Sequence, residues 1–365
     1  MARRQGELSD VGPKSAKVDS AVRRIRGQAT PKSGPGQVQR RSLSMISTAS
    51  HWREDCKGGR HVYPSTHRPR HHLPRHAQDH APPLPHEPRQ AARLARSLLV
   101  RHRPARGRFG IEIHAVQVLS NHMHEVLTDT RGELPKFLSQ RNRLMANAIK
   151  VLRGWPEEVF SREGASVVAL YGDDAVLQKI GYTLSNAVAA GLVARPEDWP
   201  GVTLAATDIG TRTIRVERPA VYFDAENKRW PASAEIAITV PRSLEANAGH
   251  EGARARIVAA VEAAVDEARR IARKAGKFVR SLEWIFAVPH TTRASSFEKD
   301  GARNPSFAAG GNVEMATMAA KVRAAFLGAY REAFRALRSG VRDVFFPLGT
   351  WRLAQEVGVN VFSTT

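Results

Sequence analysis

Two histidines one residue apart, His122 and His124, end the run Ile111-Glu-Ile-His-Ala-Val-Gln-Val-Leu-Ser-Asn121. Ile111, Ile113, Val116, Val118 and Leu119 make that run a candidate buried strand, because β-branched and apolar residues suit a pleated surface. Side chains alternate across a strand, so His122 and His124 share a face and Met123 takes the other. Neutral imidazole is the commonest protein metal ligand, and two rings at a strand end suit a divalent ion. Paired histidines also occur as polar surface or satisfied core residues, and spacing alone does not separate these readings.

About sixty residues on, Asp173-Asp-Ala-Val-Leu-Gln-Lys-Ile-Gly-Tyr-Thr-Leu-Ser-Asn-Ala-Val-Ala-Ala-Gly191 has the pattern of one helix. Asp173 or Asp174 supplies an N-cap, and Gly191 suits the left-handed position past the C-terminus. Val176, Ile180, Leu184 and Val188 recur at four-residue steps as a core stripe. Gln178, Tyr182 and Asn186 form a second row rotated away from it. The ordinary reading is a half-exposed tyrosine on an amphipathic helix. The functional one makes Tyr182 a nucleophile and Asn186 a metal ligand.

Leu119-Ser-Asn-His-Met-His124, then Gly181-Tyr-Thr-Leu-Ser-Asn-Ala-Val-Ala-Ala-Gly-Leu-Val193, then Arg195-Pro-Glu-Asp-Trp-Pro200, together resemble the single-tyrosine HUH transposases, in their REP-associated branch. The resemblance covers roughly Phe109 to Pro200. It implies a ferredoxin-like α+β domain with helices on one face of an antiparallel sheet. It also implies that His122, His124 and Asn186 hold a catalytic Mg²⁺ or Mn²⁺ while Tyr182 attacks single-stranded DNA. Two positions depart from the family: Ser120 and Ala187 stand where proline is usual. Neither removes a reacting group, and a helix continues more easily without a proline ring after Asn186.

The implied chemistry is coherent. A hard cation on a phosphodiester neutralises charge and orients in-line attack. Tyrosine attack stores the cleaved bond as a 5′-phosphotyrosine and frees a 3′-hydroxyl for rejoining. Two imidazoles and an amide form a nitrogen-rich shell, which suits Mn²⁺ at least as well as Mg²⁺. A tyrosine of ordinary pKa near 10 needs metal or basic neighbours to ionise, and Lys179 is one candidate. His114 stands too far up the strand to be an obvious third ligand. Two alternatives remain open: a DNA-binding transposase remnant without activity, and a metal-dependent nuclease that uses water in place of Tyr182.

Other elements must position these groups. Leu134 to Leu152 reads as an amphipathic helix broken by Gly154-Trp-Pro, and Ser166-Val-Val-Ala-Leu-Tyr171 as a strand. This order resembles the second half of a ferredoxin-like domain, so residues 109–204 form the expected catalytic unit. Residues 205–365 read as an α/β extension of unknown role. It opens with a linker or short β region, then has strands at Ala234–Val240 and Ser281–Val288. Long helices at His250–Val279 and Val313–Leu337 complete it, before the aromatic turn Val344–Trp351. Arg269, Arg270, Arg273, Lys274 and Lys277 cluster where a helix dipole favours cations, and also where phosphate could bind.

Upstream of Phe109 the pattern changes. Nine of the fourteen histidines lie between His51 and His102 among prolines and arginines, with no apolar periodicity before about Leu94. Residues 1–108 are therefore expected to be a low-order basic tail that buries too little apolar surface to offset chain entropy. Translation out of frame would explain the abrupt onset of order at Phe109. The tail holds 23 basic and 7 acidic residues, a surplus of 16 out of the formal +21 of the 365-residue chain. The charge is thus weaker evidence for DNA than it looks, although a basic tail raises salt-sensitive affinity for nucleic acid. A single cysteine, Cys56, excludes an internal disulfide and suits a reducing cytoplasm. No apolar run is long enough for a membrane span, and no apolar signal core follows the charged N-terminus.

Overall fold

The computed structural model describes residues 45–51, 108–119, 122–154, 158–160, 166–217, 226, 232–288, 306–348, 350, 353 and 358–362. Its main sheet has five strands: β1 (Met45–His51), β2 (Ile111–Val118), β3 (His122–Asp129), β4 (Ser166–Leu170) and β7 (Phe307–Ala308). Their order is β2-β3-β1-β4-β7, antiparallel except for the last pair. The chain is α+β in the sense of a largely antiparallel sheet with packed helices.

The strand run identified in the sequence is β2, and all eight of its residues are buried. Both of its faces are covered, so Glu112, His114 and Gln117 are buried along with its apolar residues. α1 (Leu134–Arg153) follows β3 through a turn at Gly132 (φ 73°). The Asp129 carboxylate accepts from the backbone N–H groups of Arg131, Glu133 and Leu134, which satisfies donors that open the helix. α2 (Asp173–Ala189) carries the expected stripe, with Val176, Ile180, Leu184 and Val188 all buried. Gly191 adopts φ 72° just beyond it, as expected. The N-cap is Gly172 rather than either aspartate; Asp173 and Asp174 sit in the first turn, where negative charge meets the helix dipole.

The helices cover both faces of the sheet, which corrects the expectation of one. Alternation along β3 is the reason. Glu125 points to α1, where it forms a fully buried ion pair with Arg141, and His124 points the other way to Tyr182 on α2. α3 (Arg242–Lys274) packs outside α2, and Gly181 lets them approach closely: a methyl group there would lie 2.9 Å from the Ala260 carbonyl. α3 bends at Gly249 (φ 69°, ψ 170°), so its long second segment starts where the sequence expects a helix, at His250.

β1 falls inside the span expected to be tail. In Met45-Ile-Ser-Thr-Ala-Ser-His51 no apolar alternation marks a strand, and main-chain pairing to β3 and β4 defines it instead. The rest of the expected tail up to residue 107, residues 1–44 and 52–107, lies outside the described residues.

In the extension, β5 (Thr213–Glu217) pairs with β6 (Ser233–Ala237). The segment expected as a strand at Ser281–Val288 is instead α4 (Leu282–Ala287). Ser281 accepts the Trp284 N–H and caps it, a local bond that overrides a short apolar run readable either way. α5 (Val313–Arg338) matches its expected span. It ends on a small core of Ala333, Val344, Phe346 and Val359 beside the paired β8 (Phe345–Phe346) and β9 (Asn360–Val361). Phe346 is fully buried against Tyr330, so this residue of the aromatic turn packs scaffold. Among the described residues no helix is long and apolar enough to cross a membrane.

Candidate active site

β3 begins with the histidine pair, and its start is fixed from three sides. The Leu119 N–H donates to the His122 carbonyl and closes the β2–β3 turn. Val118 donates to the Val202 carbonyl, while the Trp199 indole N–H donates to Val118 O at 2.7 Å. The Arg195–Pro200 trailer therefore fastens the strand end next to the histidines. In the register of the sheet, His122 stands opposite His51 of β1, and His124 opposite Gln117 of β2.

The His122 and His124 rings lie 4.9 Å apart, centre to centre, edge to face at 78°. His124 is buried and its ring meets Tyr182 at 5.2 Å and 77°. Tyr182 itself is 47% exposed, open to a large substrate. The Lys179 ammonium, one turn earlier on α2, lies 4.8 Å from the Tyr182 ring centre. Burial lowers the Lys179 pKa from its ordinary value. Asn186, half-buried, follows Tyr182 by one turn and makes no hydrogen bond to either imidazole among the described residues. The structure thus brings His122, His124 and Tyr182 together and leaves Asn186 adjacent on the same helical row. Gln178, the row's first member, is occupied elsewhere: its amide donates to the Gly310 carbonyl.

The donor set can be tested against a divalent ion. Two imidazoles cis on one ion, with each nitrogen about 2.1 Å away, place their ring centres roughly 4.6–5 Å apart. The observed 4.9 Å fits. Two imidazoles and an amide supply no carboxylate, and among the described residues no group of three His, Cys, Asp or Glu side chains is clustered for a metal. Such a neutral shell would leave the ion's charge for a phosphate.

Gln117 has a role that sequence reading did not find. Fully buried on β2, its side-chain oxygen accepts the Ala187 N–H at 3.2 Å. Its amide donates to the Leu184 carbonyl at 3.3 Å and to Thr203 Oγ1 at 3.2 Å. It therefore ties the turn of α2 between Tyr182 and Asn186 to the strand beside His124. Ala187 matters here, because a proline at that position would have no N–H to give. A polar side chain in a strand read as buried was the available signal, and Glu112 and His114 share it, so it does not single out Gln117.

His114 is excluded from the site by its bonds. One ring nitrogen lies 2.8 Å from Thr239 O and the other 2.8 Å from Thr128 Oγ1. Burial pushes its pKa down to about 4, so it stays neutral at ordinary pH. The cations at the end of α3 divide in two. Arg269 bonds the Ala194 carbonyl and Asp266, and Arg270 pairs with Glu267. Arg273 and the lysines have no carboxylate partner among the described residues.

Comparison with known protein families, with curated proteins and with solved structures gives no match.

Proposed function

We propose that the chain cuts and rejoins single-stranded or hairpin DNA through a covalent 5′-phosphotyrosine at Tyr182, as a transposase-like enzyme of a mobile element. The contact of Tyr182 with His124, whose ring in turn meets His122, carries this reading: a nucleophile-bearing helix is packed on one of two paired potential metal ligands. The strand order β4-β1-β3-β2, antiparallel throughout, supports it as the order of a split, ferredoxin-like sheet.

In the proposed step the phenolic oxygen of Tyr182 attacks phosphorus and its proton passes to the medium. The P–O3′ bond breaks, and the leaving oxygen takes up a proton and departs as a 3′-hydroxyl. One phosphodiester becomes another, so no oxidant or energy source is consumed, and attack by a 3′-hydroxyl reverses the step. A Mg²⁺ or Mn²⁺ ion held by His122 and His124, with Asn186 completing the shell, would neutralise charge on the scissile phosphate. The Lys179 ammonium over the Tyr182 ring places a positive charge beside the reacting group. Partial exposure of Tyr182 admits a polymer, while burial of His124 holds that ring in place.

The test incubates the protein with labelled hairpin oligonucleotides taken from DNA flanking its gene, with Mn²⁺, and reads protein-linked fragments on a denaturing gel. An adduct lost with Tyr182→Phe and with chelator supports the proposal. Cutting that survives Tyr182→Phe shows a water-using nuclease. Binding with no cutting in either protein shows a remnant that has kept recognition alone.

A further inference from the structure

We infer that the exposed segment joining α3 to α4 is a binding surface for unpaired nucleic acid. Phe278 and Trp284 act as base-stacking platforms, and Arg273, Lys274, Lys277 and Arg280 as phosphate partners. The inference rests on reading the chain as an enzyme acting on single-stranded DNA.

All twelve residues from Arg273 to Trp284 are exposed. Phe278 is 83% exposed and Trp284 46%, so neither side chain is packed into a core. The Arg280 guanidinium lies 4.5 Å from the centre of the Trp284 ring, which combines a π-surface and a cation at one point. None of the four cations has a carboxylate partner among the described residues. The helix dipole accounts for cations in the last turn of α3 but not for Lys277 and Arg280, which lie beyond its end. Aromatic rings interleaved with unpaired cations match single-stranded nucleic acid, where bases stack and phosphates track a positive groove. A second copy of the chain fits worse, since self-association would press like charges together.

The segment is also joined to the proposed catalytic helix. The Arg280 N–H donates to the Gly191 carbonyl at 3.2 Å, just past the end of α2. A methyl group at Gly191 would come within 3.8 Å of Lys277 Cβ and of the Phe278 carbonyl oxygen. At roughly 1.5 Å per helical residue, Gly191 is about 13 Å along the axis from Tyr182. The surface is thus anchored at the end of the helix that carries Tyr182.

The test uses the full chain carrying Tyr182→Phe, in chelator, so that binding is read without cutting. The probe is a fluorescein-labelled thymidine homopolymer of about twenty nucleotides, and a duplex of equal length is the control. Anisotropy titrations should show preference for the single strand. Phe278→Ala and Trp284→Ala should each weaken it by about 5- to 150-fold, with unchanged thermal midpoints. Lys277→Gln with Arg280→Gln should flatten the dependence of log K on log salt by about 1.4. Binding that survives both aromatic replacements overturns the inference, as does a dimer in sedimentation that those replacements dissolve. Because no adduct is scored, failure here leaves the proposed chemistry at Tyr182 standing. Failure of the adduct assay likewise leaves this surface to be judged by binding alone.

Discussion

Replacing Gln117 with leucine tests whether one buried side chain sets the geometry of the candidate site. The substitution nearly keeps volume and removes three hydrogen bonds, to Ala187, Leu184 and Thr203. Neutral hydrogen bonds contribute roughly 0.5–1.5 kcal/mol each, so their loss costs about 3 kcal/mol. Added apolar burial returns about 1 kcal/mol, which leaves a net destabilisation of about 2 kcal/mol. The effect should be local: amide exchange of a peptide spanning residues 182–190 should quicken, while one from α1 stays protected. Thr203→Val removes a single bond and leaves both ties to α2, so it should cost under about 1 kcal/mol and spare that exchange. Adduct formation at Tyr182 should fall with Gln117→Leu and persist with Thr203→Val. If Gln117→Leu leaves exchange across residues 182–190 unchanged, the helix is held by its apolar stripe alone and the reasoning is refuted.

Three further outcomes follow from buried groups. Burial depresses the His114 pKa from 6.5 to about 4, so the unfolded chain takes up the proton first. That contribution is full above about pH 6.5 and is lost as pH falls toward 4, about 2 kcal/mol by pH 5; urea titrations at pH 7.5 and 5 should show it, and His114→Asn should remove it. Gly181→Ala forces a methyl group against the Ala260 carbonyl; despite about 1 kcal/mol of better helix propensity, the thermal midpoint should drop and the Tyr182 adduct weaken, and a raised midpoint would contradict this packing. Arg141→Met takes the guanidinium away from the buried Glu125 carboxylate, which should cost about 3–5 kcal/mol, largely restored when Glu125→Met is added; a double variant as unstable as the single one would refute the pairing.

What the sequence discloses follows from which interactions have a period. The stripe Val176, Ile180, Leu184, Val188 is legible because a helix repeats every 3.6 residues, and all four positions are buried. β2 is legible from its β-branched and apolar residues Ile111, Ile113, Val116 and Val118, and it is buried on both sides. β1 is not: its place at the centre of the sheet depends on main-chain bonds, which every residue type except proline can supply. Ser281–Val288 misleads for a related reason, since a serine cap selects the helix and the apolar pattern is too short to oppose it.

The site shows the same division. His122, His124 and Tyr182 are detectable as residue types with a spacing, and the structure packs their rings together. Gln117 is detectable only afterwards, because its partners lie 67 and 70 residues away and two of its three bonds are to main-chain atoms. Its position gives the Ala187 N–H a partner that a proline could not serve. A proline would bend α2 by removing an N–H, whereas here that N–H is the point by which the strand holds the helix. Ala187→Pro should therefore cost more than the loss of one helical bond, since it also orphans the fully buried Gln117 oxygen. In a Gln117→Leu background that extra cost should disappear. A double-mutant cycle by urea unfolding should give a coupling of about 1–2 kcal/mol, and strict additivity would show that the helix turn and the strand are independent.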